Sequence, residues 1–254
     1  MSKYRFGDGA AIVFGGSGGL GGGIVEMLGD NDVNVAFTYL TNEDAAQKKL
    51  ARLRGKGVEG FIEKVDLLDL ETTTSFANKA KEKFGRIHSV IFATGPFLNI
   101  LPIMDANPED VYTTLDIDVK GFYHVLKATV PLLREGGGGS ITALTTAAIH
   151  KYISTDALST VPKAGVQHLC TAIAREEGEH GIRANCVAVG LIAVGLSQEI
   201  ESPPGGILDQ WMQQVPLNRA GAPEELSDVV VFLASENAGY ISGQSLPVDG
   251  GYSA

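Results

Sequence analysis

Two stretches of the chain carry residue types whose spacing could do chemistry. Directly after a short apolar run, Gly15-Gly16-Ser17-Gly18-Gly19-Leu20-Gly21 leads into a helical pattern. A strand, such a turn and a helix in succession place backbone amides at a helix N-terminus, against the pyrophosphate of a dinucleotide. Glycine suits the turn because a side chain would block it or hold the phosphate away, while Gly19 and Gly21 let helix and strand pack closely. The second stretch is Ser159-Thr160-Val161-Pro162-Lys163. An ammonium beside hydroxyls can steady a developing negative charge, but a serine hydroxyl is far too weak an acid to deliver a proton unaided. Tyr152, on the loop entering the same helix, is the nearby phenol.

The elements that must position these residues alternate. Ala10 to Phe14, Val33 to Tyr39, Val58 to Val65, Val90 to Ala93, Ser140 to Leu144 and Arg183 to Val189 read as strands. Glu43 to Arg54, Leu70 to Phe84, Glu109 to Arg134 and Ala157 to His180 read as helices, with Pro108 and Pro223 near helix starts. That alternation predicts an α/β fold, a doubly wound parallel sheet with helices on both faces. At 254 residues and 44% hydrophobic, residues 1–254 suit a single domain. Gly136 to Gly139 reads as a tight loop within the alternation, and Ser202-Pro203-Pro204-Gly205-Gly206 as a loop over a ligand cleft, within a substrate segment spanning about 191–217.

Composition removes several function classes. Thirty acidic against 20 basic residues, a net charge of −10, argues against a nucleic-acid binder. Cys170 and Cys186 lack metal-ligand spacing and read as reduced core residues; the five histidines are too scattered for a metal cluster. The first residues have no signal-peptide pattern and no apolar run reaches membrane-spanning length, so the expectation is a soluble, cytoplasmic protein with no membrane partner.

From the Gly15-x-x-x-Gly19-x-Gly21 spacing onward, the chain resembles the short-chain dehydrogenase/reductase family over essentially its whole length. The resemblance is strongest at Asn218-Arg219-Ala220-Gly221-Ala222-Pro223-Glu224-Glu225, Val231-Phe232-Leu233-Ala234-Ser235, Ile241-Ser242-Gly243-Gln244 and Val248-Asp249-Gly250-Gly251. It implies a Rossmann fold, a homotetramer or homodimer, and an NAD(P)H-dependent oxidoreductase acting on a small molecule. It further implies that Asp66 and Leu67 flank the adenine, Gly95 borders the ribose, Lys163 binds the nicotinamide ribose, and Gly190 and Ile192 complete the cofactor site. Three places depart from the family's pattern: Phe14 replaces its usual threonine, Phe92-Ala93-Thr94-Gly95 its Asn-Asn-Ala-Gly, and Val189-Gly190 its Pro-Gly.

In the family, a serine orients the substrate oxygen, a tyrosine exchanges a proton, a lysine assists the tyrosine, and an asparagine anchors a relay water. Matching the motifs puts Thr146 at the serine, Ser159 at the tyrosine and Asp118, within Asp116-Ile117-Asp118-Val119-Lys120-Gly121, at the asparagine; Lys163 alone is unchanged. Three readings stay open. One branch, the 2,4-dienoyl-CoA reductases, is similar in carrying Ser-x-x-x-Lys, an Asp-Ile-Asp run and a Gly-Asn-Phe-Leu like Gly95-Pro96-Phe97-Leu98, which implies reduction of a conjugated enone or enoyl group. A carbonyl reductase or alcohol dehydrogenase recruiting Tyr152 is the second, and a lapsed enzyme that binds a nucleotide or a partner is the third.

Cofactor choice turns on Thr38-Tyr39-Leu40-Thr41-Asn42 at the end of the second strand. A carboxylate there would favour NADH; its absence, with Tyr39, Thr41 and Asn42 available, favours NADPH over NADH. Pro162 implies either a helix that starts late, capped by Ser159 or Thr160, or a distorted first turn that draws position 159 from the substrate. His150 reads as a loop histidine near the cleft, and Trp211, Met212, Ile207 and Leu208 as an apolar wall of the substrate segment.

Overall fold

The computed structural model describes residues 3–96, 99–194 and 206–254. Seven strands, β1 (Ala10–Phe14), β2 (Asn34–Tyr39), β3 (Gly60–Lys64), β4 (Ile87–Phe92), β5 (Gly139–Thr146), β6 (Ile182–Val189) and β7 (Ser245–Val248), form one sheet in the order β3-β2-β1-β4-β5-β6-β7. Every neighbouring pair is parallel. Helices cover both faces, so β1 and β4 are buried throughout, β1 as an unbroken apolar run and β4 with His88 and Ser89 buried among apolar residues.

On one face α3 (Leu70–Phe84), α5 (Gly121–Glu135) and α6 (Ala157–Glu176) close over Phe14, Phe76, Phe92, Phe122 and Val166. On the other, α1 (Gly19–Asp30), α2 (Glu43–Gly55) and α8 (Pro223–Ala234) close over Val13, Ile24, Leu28, Leu53 and Val230. Because β1 lies between β2 and β4, the winding reverses there, and a crevice opens beyond the carboxyl ends of these strands. Phe14 pairs with Phe92, which sets the glycine turn after β1 beside Ala93-Thr94-Gly95 after β4.

Most expected strands shift by one to three residues at an end, as β4 does by starting at Ile87 before Val90, and three elements differ further. The stretch expected as one helix from Glu109 is α4 (Pro108–Leu115) and α5, joined by a π-helical turn over Asp116–Lys120. The widened turn carries Asp118 inward, where it is buried. Helix α6 ends at Glu176, with a 3₁₀ turn at Gly178–His180. Strand β7 was not expected: four residues with Pro247 inside make a weak strand signal, tolerated here at the sheet's edge.

Pro162 neither delays α6 nor draws its start away. The helix begins at Ala157, with Asp156 in the capping place expected of Ser159 or Thr160, and Pro162 is buried as its sixth residue. Its missing amide leaves the Leu158 carbonyl without the usual helical donor. A short helix, α7 (Ile207–Met212), precedes α8. Among the described residues no helix is long and apolar enough to cross a membrane. Both cysteines are free and buried.

Candidate active site

Beyond β1 the chain turns at Gly15, whose φ is 85°, a conformation that suits glycine. Its amide donates to Thr38 Oγ1 at 3.0 Å, and its carbonyl accepts from Gly18 N at 3.1 Å. Gly18 caps α1, so the amides of Gly19, Leu20 and Gly21 open the helix without intrahelical acceptors, and its first turn holds no acidic residue. These residues line a cleft of about 450 Å³ together with Ala93, Thr94, Gly95, Gly190 and Ile192. The Thr94 hydroxyl is buried there without a partner. A cradle of free amides and an orphaned hydroxyl fit a dinucleotide that brings phosphate and ribose oxygens.

Of the expected cofactor residues, Gly15 and Ser17 form the turn, and Gly18, Gly19, Leu20, Gly21, Gly95, Lys163, Gly190 and Ile192 meet on the cleft. Tyr39, Thr41, Asn42, Asp66 and Leu67 are not on its lining; Tyr39 ends β2, paired with Lys64 at the end of β3, and the other four follow these two strands. Asn42 Oδ1 caps α2 by accepting from Ala45 N at 3.0 Å, and Asp66 Oδ1 accepts from Leu68 N at 2.9 Å. Leu67 offers its carbonyl to the His124 ring at 2.8 Å.

Lys163 projects from α6 toward the π turn. Its Nζ donates to Asp118 Oδ1 and to the Thr94 carbonyl, each at 2.8 Å. The pair is secluded, with side-chain exposures of 11% for Lys163 and 1% for Asp118. Burial raises the Asp118 carboxyl above its ordinary range, and the ammonium only partly opposes that. Thr146 ends β5 on the cleft wall, its Oγ1 accepting from Ala148 N at 3.2 Å, and Thr145, also on the lining, donates to the Val187 carbonyl at 3.3 Å. Ser159, third in α6, also lines the cleft, so Pro162 has not pulled it away.

Tyr152, the phenol expected on the loop entering α6, is 57% exposed and is not among the residues that line the cleft. His150 likewise leaves the cleft and meets Ser245 Oγ at 3.1 Å. Trp211 and Val215 supply the apolar wall, with Leu144, Ile153, Val194 and Tyr252; Leu208 and Met212 do not reach it. The expected loop at Ser202–Gly205 and the resemblance at Phe97 and Leu98 lie outside the described residues.

Residues 15–253 match the family model described as Enoyl-(Acyl carrier protein) reductase. The L-rhamnose 1-dehydrogenase (NAD(P)(+)) of Sphingomonas sp. is 32% identical over 248 residues, covering 94% of each chain. The chain belongs to the short-chain dehydrogenase/reductase family. A 3-oxoacyl-acyl-carrier-protein reductase of Staphylococcus epidermidis is 28% identical over 242 residues, covering 95% of this chain and 98% of its own. Among solved structures, a short-chain type dehydrogenase/reductase from Mycobacterium ulcerans superposes with a TM-score of 0.92 at 28% identity, covering 98% of this chain and 91% of its own. A Serratia marcescens member gives 0.89 at 26% identity, covering 97% and 98%. As a short-chain dehydrogenase/reductase, the chain is an oxidoreductase that works with a nicotinamide cofactor on a small molecule.

The sequence reading of this family member missed one group. Asp156 stands on the cleft wall three residues before Ser159, on the α6 face that also carries Lys163. The three- and four-residue spacings from Asp156 through Ser159 to Lys163 were the available signal.

Proposed function

We propose that this enzyme reduces the carbonyl group, or the conjugated enone, of a small and largely apolar metabolite, with hydride supplied by the bound reduced nicotinamide. The observation that supports it is one cleft in which the glycine cradle, the Lys163–Asp118 pair, the hydroxyls of Thr146 and Ser159, and an apolar wall meet. Lys163 holds cofactor hydroxyls with the donor hydrogen its two present partners leave over. Thr146 and Ser159 orient the reacting oxygen, and the wall of Trp211, Val215 and Ile153 excludes water from it. Ser159 is not the acid, since an alcohol of that kind holds its proton too tightly.

That division of labour sets the first test. Ser159→Ala should cost about 3- to 10-fold in kcat/KM, the worth of one neutral hydrogen bond, measured with a panel of ketones, aldehydes and enones. A loss of a thousandfold with intact cofactor binding would return Ser159 to the proton step. Failure of every panel member to consume cofactor would support the lapsed-enzyme reading instead.

NADPH is the proposed cofactor by a narrower margin than the sequence implied. Thr41 and Asn42 remain beside the end of β2, but Glu43 and Asp44 occupy the first turn of α2 and oppose a 2′-phosphate. Titration of both dinucleotides by fluorescence should find NADPH tighter by about tenfold or less, the scale of exposed charge effects. Tighter NADH binding reverses the choice. The homo-oligomer implied by the resemblance is supported by apolar side chains left exposed near α4 and α5, including Tyr112 and Tyr123.

A further inference from the structure

Asp156 stands in the capping place of α6, yet its carboxyl takes no hydrogen bond from the first amides of that helix. Its Oδ2 accepts from the Thr160 hydroxyl at 3.1 Å, and Oδ1 has no donor among the described residues. The carboxyl forms part of the cleft wall with Thr146, Ser159, Lys163, Ile153 and Tyr252. Thr155, immediately before it, has φ 74°, a left-handed conformation that a β-branched residue adopts only when its surroundings impose it. Strain of that kind, beside a carboxyl that leaves the first helix amides uncapped, gathers at working sites.

We propose that Asp156 is the catalytic acid of this site, giving its proton to the oxygen of a ketone or aldehyde in place of the acid that Ser159 cannot be. The proposal rests on the carbonyl-reduction reading above. The carbonyl carbon gains hydride from the reduced nicotinamide, the π pair moves onto oxygen, and that oxygen takes the carboxyl proton. The products are an alcohol, the oxidised nicotinamide and an Asp156 carboxylate, which regains a proton from water. In the reverse direction the carboxylate removes the hydroxyl proton as hydride leaves carbon.

Burial in the apolar wall pushes Asp156 up to about 6, against the opposite pull of the Thr160 hydrogen bond. The groups facing it are few. Tyr252, from the C-terminal segment, has its own phenol raised by burial first and then by the charges of Asp156 and Asp249. Lys151 sits over the Tyr252 ring and donates to its carbonyl, while Lys163 is committed to Asp118. No cation pairs with Asp156 among the described residues. A carboxyl populated in both forms near neutral pH meets the requirement for general acid–base work.

The first readout needs no turnover. Carbon-13 titration of labelled aspartate carboxyls should show one signal titrating near pH 6 that Asp156→Asn lacks; an Asp156 signal near the ordinary 3.8 overturns the assignment. The second follows kcat/KM for reduction of acetophenone, a small aromatic ketone suited to the wall, across about pH 5 to 9. The wild-type value should fall as pH rises through about 6, because the protonated carboxyl is the active form. Asp156→Asn should lose about a hundredfold together with that limb, and Asp156→Glu should recover part of both.

Thr160→Val keeps the carboxyl but removes the bond holding its pKa down, so the limb should move to higher pH. Wild-type turnover with an unchanged profile in Asp156→Asn overturns the proposal and leaves the reductase reading standing. NADPH titration of each variant, expected to match the wild type, assigns the loss to the proton step; weakened binding that accounts for the whole loss overturns it. A wild-type protein that binds NADPH but reduces no carbonyl removes both.

Discussion

Lys163→Met is expected to abolish turnover and to lower the unfolding midpoint by about ten degrees, from about 3–5 kcal/mol lost when one member of a buried ion pair is removed. Asp118 is 1% exposed and its only charged partner among the described residues is Lys163, so the variant strands a carboxylate where water cannot reach it. The carboxyl is already raised above its ordinary range with the lysine present; without it, the raised value climbs further. A carboxyl whose folded pKa lies above its unfolded one favours folding in the protonated form. The variant's deficit should therefore shrink as pH falls and be largest in mild alkali. The double variant Lys163→Met with Asp118→Asn should recover most of the midpoint while remaining inactive, because no charge is then stranded but the cofactor lysine is still gone. Denaturation at two pH values and a cofactor titration read all of this. A midpoint within two degrees of wild type would mean the pair contributes little, as exposed pairs do.

How far the sequence led depends on which physical signal each feature rested on. Strand β1 and helix α3 fall on their expected residues, because an unbroken apolar run and a well-capped helical period leave little choice: Asp69 accepts from the amides of Glu71 and Thr72. The glycine turn opening α1 was legible from spacing, whereas the place of Lys163 came with the family resemblance. The π turn at Asp116–Lys120 was not, since inserting a residue into the hydrogen-bond ladder changes no propensity and the apolar period continues into Phe122 and Val125. Nor was the exposed position of Tyr152, beside Lys151, which bonds Tyr252 from the far end of the chain, and close to Thr155 with its left-handed backbone. Asp156 has no part in the sequence expectation, which gives the capping of α6 to Ser159 or Thr160. The three- and four-residue spacings that set Asp156 on one side with Ser159 and Lys163 are the pattern that points it toward the cleft.

The altered positions also constrain one another. Asp118 alone would be a buried charge, and it is tolerated because Lys163 reaches it. The lysine, so engaged, is less able to assist a phenolic acid, and Ser159, four residues before it, offers no phenol there. A carboxyl acid on the other side of Ser159 is consistent with that arrangement, because burial among apolar residues tunes it without any cation. The proton step and the cofactor lysine are then separate functions, which is why Lys163→Met should impair cofactor binding while Asp156→Asn should not.

Gly21→Ala should weaken dinucleotide binding by more than about a hundredfold and destabilise the fold by about 3 kcal/mol, the upper range for forcing a group into packed surroundings. A Cβ there would lie 2.3 Å from the Gly15 carbonyl oxygen and 2.9 Å from its carbon, both backbone atoms. Gly15 has nowhere to retreat. Its amide is held by Thr38 Oγ1, its carbonyl by Gly18 N, and its own substituent position lies 2.7 Å from the Ala93 carbonyl. Relief can come only by shifting α1 away from β1, which moves the amides of Gly19, Leu20 and Gly21 off the phosphate position and opens the Ile24–Leu28 face of the core. Gly18→Ala is the matched control: it adds the same methyl in the same loop, but with φ −71° and its nearest neighbour at 3.4 Å. It should bind within about tenfold of wild type, since one tight contact of that kind is relieved by a small adjustment. Fluorescence titration with thermal unfolding of both variants distinguishes a steric requirement at one glycine from a general need for loop flexibility, because flexibility would make the two losses equal.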